Sequence, residues 1–328
     1  MRKTLLFNRS SFEHLLRMQD YIDAVEKAHL LQAQNKIIAT NLIHADAPNG
    51  EYHIKTGGLL GDNAYYGLKA NGGFFGNQQN YQLPNILGII YLSDAQNAYP
   101  LAIFASSLIS KMRTAAATAV AAKYLLPAKE LELAVVGYGN QAEAQIEALL
   151  CVAKIKQITI AGRNARKLEA FVDKIKQLYT IPVKADSIEN ACRNAQIIVT
   201  ATPSKDYFVK NEWVQNGCFV AEVGADSPGK QELDPKLMQR AKIVADIKSQ
   251  VLKVGESQHA FQQNLITESS IYAELGQLVS GQVPGRRQED TIFIYDSTGT
   301  AIQDVAAAAF IYEKLKEDPT IQTIDFYS

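Results

Sequence analysis

Three side chains in this sequence combine a charge with a position beside a regular element: Lys69, Arg113 and Asp226. Lys69 stands in G-L-K-A-N-G-G, which reads as a strand end. A lysine there is ordinarily a solvated edge residue. Arg113 lies at the start of the alanine-rich helical run that begins at Thr114. From that position its planar fork can grip a carboxylate; a cap or surface arginine is the competing reading. Asp226, in G-A-D-S-P-G-K, follows an apolar strand and is placed to carry a proton or to cap the next helix. A fourth candidate, Lys55, ends the alternating run Y-H-I-K.

A second chemistry is written in Leu133 to Ala142, L-A-V-V-G-Y-G-N-Q-A. A short apolar run ends in Gly137-Tyr138-Gly139, and a helix-like segment follows from Gln141 to Cys151. This is the strand, turn and helix start of a dinucleotide-binding βαβ unit. Gly137 permits the sharp turn, Gly139 lets the backbone approach a pyrophosphate, and Ala142 lets helix and strand pack closely. The pyrophosphate would sit on the helix N-terminus, where N–H groups and the dipole favour an anion.

The surrounding elements follow from period and punctuation. Residues 10–34 read as a helix, with Ser10 and Glu13 as a capping box and Leu15, Met18, Ile22 and Val25 at helical spacing. Glu26 and His29 on it read as solvated. Ile37-Ile38, Tyr52 to Ile54, Tyr65 to Leu68, Ile86 to Leu92 and Leu101 to Phe104 read as strands of a mostly antiparallel sheet. In residues 105–126 the alanine-rich part from Thr114 onward reads as a helix. From residue 131 strands and helices alternate. Gln157 to Ala161, Ile181 to Lys184, Gln196 to Thr200, Cys218 to Val223, Ala241 to Asp246 and Thr291 to Tyr295 are strands. Thr320 to Tyr327 reads as a last strand that returns to the first sheet.

Strand ends of a doubly wound sheet face the ligand crevice. The candidate nucleotide contacts are therefore Gly137, Gly139, Asn140, Gln141 and Ala142 on the first turn, with Thr114 on the alanine-rich helix. Further along they are Thr200, Ala201, Thr202 and Val223, then Ser297 and Gly299 in D-S-T-G-T beside the nicotinamide. The end of the second strand reads the adenine ribose. It carries A-G-R-N-A-R-K, with no acid to accept from a 2′-hydroxyl and with Arg163 available to a 2′-phosphate. NADPH is favoured over NADH, which stays possible.

The 328 residues carry a formal net charge of -1 and 47% hydrophobic side chains, which fits a globular enzyme-sized chain and gives no electrostatic case for nucleic acid or an anionic membrane. No apolar run suggests a membrane span or a signal peptide. Three scattered cysteines point to a reducing compartment, and the five histidines show no ligand spacing. The expectation is a cytoplasmic, metal-free protein.

Taken together, R-T-A-A-A-T-A-V-A-A-K, V-G-Y-G-N-Q-A, V-T-A-T-P, G-A-D-S-P-G-K-Q-E-L and Y-D-S-T-G-T-A-I-Q-D-V-A-A-A make the chain resemble the ornithine cyclodeaminase/μ-crystallin family over nearly its whole length. The resemblance implies an α/β fold. A Rossmann dinucleotide-binding domain, residues 118–304, would be inserted into an α+β substrate-binding and dimerisation domain, residues 1–117 plus 305–328. It also implies a homodimer. It gives Lys69 and Arg113 the substrate carboxylate and Asp226 amine binding or proton transfer. Many members have an arginine near the position of Asn41, and Lys55 falls where others have a neutral stretch. The carboxylate clamp is then expected to be rebuilt around Lys55, Lys69 and Arg113, with Asn41 beside it.

Such a site supports hydride transfer at a carbon bearing nitrogen and a carboxylate. One outcome is reduction of a small cyclic imino acid such as Δ1-pyrroline-2-carboxylate, or of a related 2-imino acid; its reverse is amino-acid oxidation. Another is ornithine cyclodeamination to proline and ammonia with NAD+ as internal hydride carrier. A third is a ligand-binding protein that holds NADPH without turnover. The absent acid near Arg163 favours the reductase.

Overall fold

The structure is a computed structural model that describes residues 3–127, 129–289 and 291–327. The chain forms two compact units, Met1–Arg113 with Thr300–Ser328, and Thr114–Gly299.

The first unit is built on a seven-stranded sheet. Its strands are β1 (Thr4–Phe7), β2 (Ile37–Ala47), β3 (Gly50–Leu60), β4 (Ala64–Gly73), β5 (Ile86–Asp94) and β6 (Pro100–Ala105), with the C-terminal strand Gln322–Ile324. β2 to β6 form an antiparallel meander, β1 joins β6 in parallel, and Gln322–Ile324 pairs antiparallel with β1 at the edge. The returning tail and the mixed, mostly antiparallel sheet agree with the sequence; β1 was not foreseen. On one face Leu59, Tyr65, Ile90, Leu92 and Phe104 are buried. The helices Met18–Ala33 and Ala301–Leu315 cover this sheet and each other.

Two opposed glycines, Gly57 on β3 and Gly67 on β4, bring the Ala301–Leu315 helix down onto it. A Cβ at Gly57 would stand 3.1 Å from Ala301 Cβ, and one at Gly67 would stand 2.9 Å from Val305 Cγ2. Small residues on both surfaces thus allow backbone-level approach.

The first helix begins later than its periodicity suggests. Residues Arg9–Ser11 form a single 3-10 turn, and Ser11 N donates to Asn8 Oδ1 at 3.0 Å. Ser10 therefore caps nothing. The α-helix starts at Met18, with Arg17 N donating to Asp20 Oδ2 at 2.7 Å.

The second unit is an all-parallel sheet of β7 (Leu131–Val136), β8 (Ile155–Ala161), β9 (Val183–Ala185), β10 (Ile197–Thr200), β11 (Phe219–Glu222), β12 (Lys242–Ala245), β13 (Ile271–Glu274) and β14 (Phe293–Asp296). The order is β13-β12-β14-β11-β10-β7-β8-β9. These strands are mostly apolar, and β10, β11 and β14 are buried at every residue, as strands covered on both faces must be. The order reverses between β7 and β10, which opens the ligand crevice of a doubly wound sheet there. Among the described residues, no helix is long and apolar enough to cross a membrane.

Candidate active site

In the first unit the antiparallel register sets Lys55 directly opposite Lys69. Both side chains are buried, 5% and 3% exposed, so neither is the solvated edge lysine its type suggests. Lys69 lies inside β4 and not at its end. Two opposed cations repel, and the counter-charge comes from Asp304 on the helix that Gly57 and Gly67 admit. Lys69 Nζ lies 2.8 Å from Asp304 Oδ2 and 3.0 Å from Oδ1. Arg113 Nε donates to the same Oδ1 at 2.8 Å. Arg113 is not at a helix start, as its neighbours suggested; it sits within the helix Ser106–Leu125, whose first turns contain S-S-L-I-S-K-M.

The electrostatics follow. Burial opposes ionisation of Asp304, but Arg113 and Lys69 beside it hold its carboxyl below the ordinary value. For Lys69, burial first and Arg113 second push the ammonium down to about 7, against the opposite pull of Asp304. An amine near 7 exchanges protons at neutral pH, the property a general acid or base needs. Two cations share one carboxylate, with guanidinium and ammonium approaching it from different elements.

Arg113 is held from behind. Its Nη1 donates to Gln303 Oε1 at 2.7 Å. Gln303 Nε2 meets His29 Nε2 at 3.1 Å, and His29 Nδ1 meets Gln32 Oε1 at 2.8 Å. These partners assign the tautomer: Nδ1 carries the proton and donates to Gln32, so Nε2 accepts from Gln303. The solvated reading of His29 is thus corrected, since it is fully buried. Burial lowers its pKa to about 4. The folded state keeps His29 neutral, whereas the unfolded chain takes a proton below about 6.5. Its contribution is lost as pH falls from about 6.5 to about 4, a difference of about 3 kcal/mol. Chemical denaturation of the native chain and of His29→Gln across that window should show the native chain losing more stability by up to that amount. Parallel curves would remove His29 as the acid-sensitive group.

In the second unit, Gly137 has φ +113°, and a Cβ there would meet Ala201 O at 2.7 Å. Turn and neighbouring strand end therefore lie against one another at the switch point. A Cβ at Gly139 would meet nothing within 4 Å, so the backbone faces open space beside the N-terminus of the helix Asn140–Val152. Ala142 is fully buried. Gln141 Oε1 and Ser297 Oγ are buried with no hydrogen-bond partner among the described residues. An open glycine turn and orphaned polar atoms suit a dinucleotide. Asn140 and Gln141 open that helix, Thr200, Ala201 and Thr202 follow from the end of β10, and Val223 follows β11. Gly299 has φ +74° and donates its N–H to Asp246. Thr114 is 8% exposed within the helix Ser106–Leu125.

After β8 the ring of Tyr138 lies over Gly162, where a Cβ would strike it, and its hydroxyl accepts from Asn164 N at 3.0 Å. Asn164 caps the helix Ala165–Leu178 through Lys167 N. Arg163, Arg166 and Lys167 are exposed around this turn, with no acid among them.

Two carboxylate findings were not legible. Glu232 is buried and accepts from Thr202 N at 2.7 Å and Gly224 N at 3.0 Å, tying the loops after β10 and β11 together. Behind it Glu256 accepts from Glu232 N and Leu233 N, and Asp296 accepts from Ser257 N and Oγ. Burial pushes Asp296 up to about 7. Both glutamates, with Glu222, are raised by burial. Asp226 is 43% exposed at its side chain and pairs with Lys230 Nζ at 2.6 Å. It caps no helix, because Asp234 caps the next one.

Asn41 does not join the cations. Its β2 position pairs with Thr56, one residue out of phase with Lys55, so it points from the opposite face of the sheet. Its side chain is exposed and donates to Ala39 O at 3.4 Å. The histidines also depart from expectation: His44 and His53 come together with Glu51 on the β2–β3 hairpin. A linear spacing cannot reveal a pair that antiparallel register creates.

The doubly wound parallel sheet with its open glycine turn is the architecture of a dinucleotide-binding protein. Residues 2–319 match the ornithine cyclodeaminase/mu-crystallin family, and the chain belongs to it. Within that family it is an NAD(P)-dependent oxidoreductase. It is similar to an archaeal alanine dehydrogenase, solved as a dimer with bound NAD, at 32% identity and TM-score 0.94, covering 99% of this chain and 100% of that one. It is similar to the Δ1-pyrroline-2-carboxylate reductase of Thermococcus litoralis, solved with NADH and L-proline, at 29% identity and TM-score 0.92, covering 98% and 100%. It is 32% identical to the iminosuccinate reductase of Paracoccus denitrificans, over 95% of this chain and 96% of that one.

Proposed function

We propose that this protein is an NADPH-preferring reductase of a small cyclic imino acid such as Δ1-pyrroline-2-carboxylate, or of a related 2-imino acid. The observation that carries the reading is the burial of Lys69 and Arg113 together on the Asp304 carboxylate, where burial and Arg113 bring the Lys69 pKa down to about 7. Arg113 fixes the substrate carboxylate, and Lys69 holds it from a second direction and donates the proton that the imine nitrogen requires. Pre-orientation of this kind lowers the barrier without new chemistry. The bound nicotinamide supplies the hydride. Asp226 is the second proton carrier in this reading.

The NADPH preference rests on Arg163 and on the lack of an acid after β8. Arg163→Ala should weaken NADPH by about tenfold or more and NADH hardly at all. Fluorescence titration of both nucleotides reads this, and equal weakening would sink the argument.

We also propose a homodimer. The outward face of the first sheet exposes Ile43, Tyr52, Leu87 and Ile89 on neighbouring strands, a patch that a monomer seldom leaves to water. The solved dimer of the alanine dehydrogenase supports a second copy as its partner. Sedimentation should give twice the chain mass, and Ile89→Lys should give one chain mass with nucleotide binding kept.

A further inference from the structure

The β2–β3 hairpin reads H-A-D-A-P-N-G-E-Y-H from His44 to His53. Antiparallel register sets His44 opposite His53 and Asp46 opposite Glu51. With a side-chain period of two, all four project from one face. His44 Nε2 lies 3.1 Å from Asp46 Oδ1 and 3.9 Å from Glu51 Oε2, and His53 Nε2 lies 3.3 Å from Glu51 Oε1. The imidazoles meet edge to face at 4.8 Å.

These separations are informative. Nitrogen and oxygen ligands about 2.0–2.1 Å from a tetrahedral zinc ion lie roughly 3.3–3.4 Å from one another. Three measured edges of this group bracket that value. Two carboxylates facing each other across strands repel, so the arrangement also gains from a cation between them. Glu51 and His53 are largely covered, at 24% and 16% side-chain exposure, which limits their rotamer freedom.

We propose that this hairpin binds one divalent cation of the zinc class. His44 and His53 ligate through Nε2 and Glu51 through a carboxylate oxygen. Asp46, 93% exposed and free to swing inward, closes the tetrahedron. Two imidazoles select zinc, nickel or copper over magnesium and calcium. The ion clips β2 to β3 near the turn, and β3 carries Lys55 two residues beyond His53 on the same face. The site is then a structural clamp on the strand that carries Lys55 of the buried cationic cluster.

The test uses the full-length protein stripped with a chelator and titrated with Zn2+ by calorimetry near neutral pH, alongside its thermal melting. One Zn2+ per chain and a rise in Tm are expected, with no such rise for Mg2+. The His44→Asn/His53→Asn double variant should lose both effects while keeping its circular dichroism and its nucleotide affinity. His14→Asn, at an exposed histidine elsewhere, should keep both effects. Cobalt substitution should give a visible tetrahedral band in the native chain and none in the double variant. Equal zinc binding by the native chain and the folded double variant, or no binding by the native chain, would overturn the proposal.

Discussion

Arg113→Ala should cut kcat/KM for the imino acid by about a hundred- to a thousandfold, through both a higher KM and a lower kcat. Arg113 is buried, donates Nε to Asp304 and Nη1 to Gln303, and is held rigidly by both. Truncating one partner of a buried charge pair costs about 2–5 kcal/mol, much of it the penalty of leaving other groups unpaired. Arg113→Lys should recover only part of the loss, because an ammonium cannot reproduce the two-donor fork. Steady-state kinetics with a parallel nucleotide titration reads the effect. NADPH affinity should be unchanged, and its loss would move Arg113 out of the substrate site.

The second large effect belongs to Asp304. Asp304→Asn should shift the pH dependence of kcat/KM and destabilise the fold. In the native chain Asp304 raises the Lys69 pKa against burial and Arg113, which together bring it to about 7. Removing that carboxylate lowers the pKa further. If Lys69 acts as the acid, activity falls as pH rises through its pKa, so the falling limb should start near neutrality and move to lower pH in the variant. Lys69→Met should abolish that limb. The loss of counter-charge for a buried ammonium and guanidinium should also cost about 3–5 kcal/mol of stability. Asp304→Glu keeps the charge and should keep a falling limb close to 7, which separates an electrostatic role from mere damage. A falling limb that stays in place in folded Asp304→Asn would remove Lys69 as the acid.

The sequence carried the parallel sheet well, because its inner strands are rich in Val, Ile, Leu and Phe and Gly137-Tyr138-Gly139 marks the turn. It missed β1 and β13, four-residue strands with too little pattern to stand out. Lys69 and Arg113 were legible by type and by the family motifs, but their burial was not. Asp304 stood in plain view inside A-I-Q-D-V-A-A-A, and an acid in a helix ordinarily faces water. Only the close approach allowed by Gly57 and Gly67 turns it onto Lys69. His29 had a usable signal: it continues the spacing of Met18, Ile22 and Val25, all buried, and so belongs to the covered stripe. The pairing of His44 with His53 had none short of strand register, and the acids Glu222, Glu232 and Glu256 defy the ordinary rule that carboxylates stay outside.

The most direct test of the reductase reading mixes the purified protein with NADPH and Δ1-pyrroline-2-carboxylate and follows the reduced nicotinamide signal and the product. Rapid NADPH loss with stoichiometric proline is the expected result, with NADH consumed more slowly. No loss with this substrate or with a panel of related 2-imino acids, but proline and ammonia appearing from ornithine and NAD+ without net NADH, would contradict it.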